Sequence, residues 1–229
     1  MIRFLMIFFL IITVVCRAED AREYLVEDTH PFYSTMEALF NVKGVLSSEK
    51  SLEKRGFHIL AVRAPSFVVV KHHKIPGYVI KAHLEGSARS LEQKWDNFIS
   101  RCSHAVAIRQ LIQQQGLKHF VVPDKKIYVT HRGEPILLAT DMNILSYKES
   151  EYAWKHVAKK KHIEDLYCLL QCGYGSSKLP ENIPYTKKGF FALIDTERSP
   201  KMRPFSHFKE YLSKSMQDYF HVISKGEGS

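Results

Sequence analysis

No glycine-rich phosphate loop opens a helix in this chain, and its strands and helices do not alternate one for one. That excludes Rossmann and Walker-type nucleotide sites, which need both. There is no Gly-x-Ser-x-Gly elbow, and Ser176-Ser177 has no assignable His and acid, so nucleophilic hydrolysis has no support. The 12 histidines are scattered apart from His72-His73. None stands at ligand spacing from a second His or a carboxylate on one helix face, which argues against a His metal centre. Cysteine is scarce, with 4 in 229 residues. Cys168 and Cys172 lack the second ligand pair that a zinc site would require. Beyond residue 20 no apolar run is long enough to cross a bilayer, and there is no internal repeat or low-complexity tract.

What is present begins with a processing segment. Met1-Ile2-Arg3 is a short basic start, Phe4 to Cys16 is apolar except for Thr13, and Cys16-Arg17-Ala18 ends on a small residue. Residues 1–18 therefore read as a signal peptide cleaved after Ala18. The apolar run, about 13 residues, falls short of the roughly 20 that span a bilayer. An uncleaved anchor and a lipoprotein are the alternatives, and Val15 before Cys16 makes a poor lipobox. The expectation is an exported protein, periplasmic or secreted, with no membrane span after cleavage. What remains suits one domain with two lobes. The formal net charge of the whole sequence is +9, with one dense run at Lys159-Lys160-Lys161. A solvated face accounts for that run, and no nucleic-acid partner is expected. In an oxidising compartment Cys168 and Cys172, four apart on a helix, share a face and can pair. Three free thiols at Cys102, Cys168 and Cys172 is the equal alternative.

Residues 21–56 are mixed and polar, with helical signals around Tyr33–Phe40. Strands follow at Phe57–Val62, Phe67–Lys71 and Tyr78–Leu84, rich in β-branched and aromatic residues between Pro/Gly turns. Leu91, Trp95, Phe98 and Ile99 fall at helical spacing, and Cys102 or Ser103 is expected to interrupt the helix. Ala105, Ile108, Leu111 and Ile112 then form a second stripe closed by Gly116. Further strands are expected at His119–Pro123, Ile127–Thr130 and Pro135–Thr140. A long helix should run from Glu149 to Cys172, capped by Gly173. A hairpin of Asn182–Thr186 and Phe190–Ile194 turns at Lys187-Lys188-Gly189, and a tail helix spans Phe205 to Ile223. The order strands, helix, strands, helix, hairpin, helix predicts an α+β fold. Its expected parts are an N-terminal extension at 19–56, a sheet-rich lobe at 57–145 and a reduced helical lobe at 146–229.

Asn182 is followed 13 residues later by Asp195, both at strand edges, with Glu197 two further on. An amide and carboxylates so placed suit a divalent metal on phosphate. This order and these residues resemble the protein-kinase-like fold over roughly residues 57–197. Tyr78-Val79-Ile80-Lys81 looks like the third-strand Val-Ala-Ile-Lys of kinases. Lys178-Leu179-Pro180-Glu181-Asn182 is similar to the end of the kinase catalytic loop. Asp195-Thr196-Glu197 stands where Asp-Phe-Gly would, in the Asp-x-Glu form of the aminoglycoside and choline phosphotransferases. The pattern also looks like kinase-like proteins of intracellular bacteria. The resemblance implies a small two-lobed architecture, an antiparallel-sheet lobe plus a reduced helical lobe. It implies Lys81 on phosphates, Asp141 and Met142 at the interlobe hinge contacting nucleotide, and Asn182, Asp195 and Glu197 on Mg²⁺, with ATP as cofactor. Taken singly, each piece has a structural reading: a snorkelling Lys81, a turn Asn182, a loop-capping Asp195.

The departures point elsewhere. The position of the catalytic Asp holds Ser177, within Gly175-Ser176-Ser177, and an uncharged Ser cannot serve unaided as the base. Arg63-Ala64-Pro65-Ser66 replaces the glycine-rich turn. No acid lies between Ala105 and Gly116 to pair with Lys81; Glu92 or Glu85 would have to substitute. Three readings stay open. One is a degenerate kinase-like protein that binds Mg-nucleotide or a protein partner, a host protein among the possibilities, without efficient transfer. The second is an active small phosphotransferase, with Glu181 assisting. The third is an exported interaction protein without a nucleotide site, using aromatics such as Tyr24, Phe32, Tyr33, Phe205, Tyr211 and Tyr219, residues that are more often core than interface.

Overall fold

A computed structural model describes residues 21–63, 66–176, 178–199 and 204–225. The leader reading of residues 1–18 and the Ser177 position lie outside the described residues. The fold is α+β, as the order of elements predicts, and the chain forms two compact units. The first comprises residues up to Ile99 together with Lys125–Ala139; the second comprises Ser100–Asp124 and Thr140 onward.

The first unit is built on a five-stranded sheet. Strands β1 (Phe57–Arg63), β2 (Phe67–His72) and β3 (Tyr78–His83) form an antiparallel meander, β5 (Lys125–Val129) pairs antiparallel with β6 (Pro135–Thr140), and the order is β1-β2-β3-β6-β5. Alternation sets the faces. Val68, Val70, Ile80 and Ala82 are buried together on one side. Residues 21–56, expected as an extension, supply much of the same core. Helix α1 (Tyr33–Phe40) contributes Met36, Leu39 and Phe40, and α2 (Glu49–Lys54) contributes Leu52. On the other face Phe98 stacks on His83, and His83 meets Phe67 edge-on.

The interruption expected at Cys102 or Ser103 is absent: α3 runs unbroken from Leu91 to Gln115. Its start is a reciprocal box, with Gln93 N–H donating to Ser90 Oγ and Ser90 N–H to Gln93 Oε1. Its end is set by Gly116 at φ +62. Between them, neither Cys nor Ser breaks a helix whose Cys102, Ala105 and Ile108 are buried. One consequence is that Glu92 belongs to the same helix, in its first turn.

The long helix expected from Glu149 to Cys172 is instead broken. Helix α4 (Tyr147–Tyr152) starts on a Ser146/Glu149 capping box and runs into a π-helical turn at Ala153–Val157. The chain is extended at Ala158 and Lys159 before α5 (Lys160–Gln171) begins. The break places Trp154 in the core with its indole N–H donating to Ile183 O at 3.0 Å. Gly173 caps α5 as expected, in a Schellman arrangement: Tyr174 N–H donates to Leu169 O and Gly173 N–H to Leu170 O.

The hairpin shrinks to a tight turn. Thr186 N–H donates to Phe190 O, and Tyr185 bridges Phe191. Strand β7 (Phe191–Ala192) then pairs in parallel with the two-residue β4 (Phe120–Val121). The expected tail helix is divided: short 3₁₀ turns at Phe205–His207 and Lys209–Tyr211 precede α7 (Lys214–Lys225). Phe208, Leu212 and Phe220 are thereby all buried with Trp154, Leu166 and Phe191 in the second unit's core. Among the described residues no cysteines are joined; Cys102, Cys168 and Cys172 are thiols. No helix among the described residues is long and apolar enough to cross a membrane.

Candidate functional site

In the second unit a four-residue helix, α6 (Leu179–Asn182), carries Pro180 in its first turn and ends at Asn182. The chain then returns beside it. Asn182 O accepts from Ile194 N–H at 3.1 Å, and Asp195 N lies 3.5 Å from the same oxygen. Register therefore brings Asn182 and Asp195 side by side, although 13 residues separate them. The Asn182 side chain donates through Nδ2 to Ser176 Oγ at 2.7 Å, and Ser176 Oγ also accepts from Lys178 N–H.

Asp195-Thr196-Glu197 is read by one face of α3. Arg101 Nη1 donates to Asp195 Oδ1 at 2.8 Å, while Nη2 is paired with Glu197 Oε1. The intervening Thr196 is fully buried and donates through its hydroxyl to the Arg101 carbonyl at 2.8 Å. One turn on, His104 Nδ1 lies 3.1 Å from Thr196 O, so that nitrogen carries the proton. Asp195 Oδ1 also takes a longer bond, 3.4 Å, from Glu197 N–H. The guanidinium is withdrawn from water, its side chain 11% exposed against 30% for Asp195 and 55% for Glu197. A fixed planar fork on two carboxylates is the geometry at which Arg excels.

The oxygen donors of Asn182, Asp195 and Glu197 are of the type a hard divalent cation takes. As arranged, though, both carboxylates already face a cation, the Arg101 guanidinium. A Mg²⁺ ion at this set would share both carboxylates with Arg101, which holds Asp195 Oδ1 and Glu197 Oε1. Among the described residues no group of three or more His, Cys, Asp or Glu side chains is placed to hold a metal.

The other residues singled out from sequence lie apart in the chain. Lys81 sits on β3 of the first unit, opposite Val69 on β2 and half-buried, on the face away from Ile80 and Ala82. Asp141 and Met142 follow β6 in the second unit, half-buried; Asp141 Oδ1 accepts from Asn143 N–H at 3.0 Å. Glu85 is paired with Arg132 rather than with a strand lysine.

No family model and no curated protein matches the chain. In structure it is similar to two solved kinases. The Lpg2603 kinase of Legionella pneumophila, solved bound to IP6, matches at a TM-score of 0.37 and 13% identity, over 73% of this chain and 70% of that one. Vaccinia related kinase 3 matches at 0.38 and 11%, over 62% and 46%.

Sequence reasoning missed Arg101, His104 and Ser176. The cue available for the first two was faint: a cation and an imidazole three apart share a helix face. The same pattern describes many solvated faces. Only the return of residues 195–197 against α3 makes it a site.

Proposed function

We propose that this is a kinase-like protein that works by binding rather than by phosphoryl transfer. The observation that supports it is the Arg101 fork on Asp195 and Glu197. In phosphoryl transfer these carboxylates would have to face metal ions that bridge the phosphates. Here one guanidinium offsets one of their two charges and holds one oxygen of each, so a metal would have to compete with it for both carboxylates. Ser177, at the position of the base, adds the second deficit. Asn182 and Asp195 would hold the Mg²⁺ of a weakly bound ATP. The chief ligand is a protein partner met outside the cytosol, in keeping with the leader-like residues 1–18.

The test is thermal unfolding with ATP, with and without Mg²⁺, alongside transfer from labelled ATP. The intact protein is expected to show little Mg²⁺-dependent gain and no transfer, and Arg101→Ala to gain Mg²⁺ dependence. Transfer by the intact protein that disappears in Asp195→Ala would overturn the reading in favour of an active phosphotransferase.

A further inference from the structure

The first unit contains a cavity of about 270 Å³ that the kinase-like reading does not use. Its floor is apolar, formed by Phe40, Val45 and Leu46, all buried. Its walls carry charge of both signs: Lys94 and Arg132, Glu85 and Glu134.

The walls are fixed before any ligand arrives. Thr130 N–H donates to Glu134 O, Gly133 N–H to Thr130 O, and Glu134 N–H to Thr130 Oγ1, which closes the β5–β6 turn. Trp95 Nε1 ties that turn to α3 through Gly133 O at 3.1 Å. Asn41 ties it to the end of α1, accepting from His131 N–H at 2.8 Å while donating to Tyr128 Oη at 2.9 Å. Glu85 N–H donates to Leu46 O, which fixes the end of β3 over the floor.

The two ion pairs differ. Lys94 Nζ and Glu134 Oε2 are 2.8 Å apart, and the Lys94 side chain is 9% exposed. Arg132 Nη1 and Glu85 Oε1 are 3.5 Å apart and half-exposed, looser than the roughly 2.7–2.9 Å of a charge-assisted bond. The loose pair is the one an incoming group can enter. An anion would meet two carboxylates, a cation would meet two basic groups, and a wholly apolar ligand would desolvate both ion pairs while giving them no new partner. A molecule with one charge of each sign close together, and an apolar remainder, meets none of these penalties.

We propose that this cavity binds a small zwitterion with an apolar side chain, an α-amino acid of the leucine class. Its carboxylate pairs with Arg132, its ammonium with Glu85, and its side chain lies on Phe40, Val45 and Leu46. Water is the competing occupant, since the volume would take roughly nine molecules at liquid density. Calorimetric titration of the full chain separates the two. L-Leucine should saturate one site per chain. Isocaproate, which lacks the ammonium, and isopentylamine, which lacks the carboxylate, should each bind at least about tenfold more weakly. Arg132→Ala and Glu85→Ala, at half-exposed positions, should weaken leucine by a similar factor, and Val45→Trp should fill the floor and abolish binding. The proposal is overturned if leucine, isoleucine and phenylalanine in millimolar excess all give no binding heat with protein whose thermal unfolding is intact. It is equally overturned if the two truncated analogues bind as well as leucine.

Discussion

Arg101 decides more about the candidate site than any residue that sequence motifs single out. Its fork satisfies Asp195 and Glu197 together, and its backbone carbonyl accepts from Thr196. Hydrogen bonds to charged groups are worth about 1.5–3 kcal/mol each, less where water screens them. Asp195 and Glu197 are partly exposed, so Arg101→Ala should cost about 1–3 kcal/mol in urea unfolding. The same variant should bind Mg²⁺ more tightly in a calorimetric titration, because the Arg101 guanidinium no longer competes for the two carboxylates. Arg101→Lys should recover only part of the stability, since an ammonium cannot reproduce a planar two-pronged contact. If neither stability nor Mg²⁺ affinity moves, the fork has no energetic weight.

At the scale of elements, α5 carries two features that its own sequence explains only in part. Gly173 at φ +83 ends the helix, and a Cβ there would run into Ser199 O, which lies against it from residues far down the chain. Gly173→Ala should therefore cost more than about 1 kcal/mol, from the left-handed backbone and the clash together. Differential scanning calorimetry checks this. At the other end, His162 Nδ1 accepts from Lys159 N–H at 3.0 Å and so caps the helix from within. Burial holds its pKa below the ordinary value, with the neighbouring His119 adding to the effect and Asp165 opposing it. His119 is itself bonded to the buried Asp165, which also lies 3.5 Å from Lys161. A histidine whose folded pKa is depressed takes its proton first in the unfolded state. Its contribution is present above about pH 6.5 and is lost as pH falls below that value towards the folded pKa. Urea midpoints read from Trp154 should accordingly drop between about pH 7 and pH 5. His162→Gln, which keeps an acceptor but does not titrate, should flatten the profile. The same break before α5 defeats a reading from periodicity, since the apolar spacing of residues 149–172 is continuous. The break falls at Ala158 and Lys159, four residues beyond the Trp154 whose indole N–H donates to the distant Ile183 carbonyl.

At the scale of the whole molecule, each unit has its own apolar cluster and its own tryptophan, Trp95 in the first and Trp154 in the second. Ile80 and Leu166 are fully buried in the respective clusters. Ile80→Ala and Leu166→Ala should each cost about 2–5 kcal/mol. In a Trp95→Phe background, fluorescence reports the second unit, and Leu166→Ala should move that transition. The sequence by itself determined the α+β class, the three-strand meander, and the C-terminal ends of α3 and α5 at Gly116 and Gly173, because alternation and glycine act over a few neighbours. It also marked Asn182, Asp195 and Glu197, since their order along the chain is a local fact. It did not determine that Arg101 would sit on both carboxylates. Nor did it show that residues 21–56 would complete the first core or that α3 would run unbroken. Those outcomes depend on groups tens of residues apart competing for the same buried space and the same hydrogen bonds. That competition is settled only when the tertiary fold brings them together.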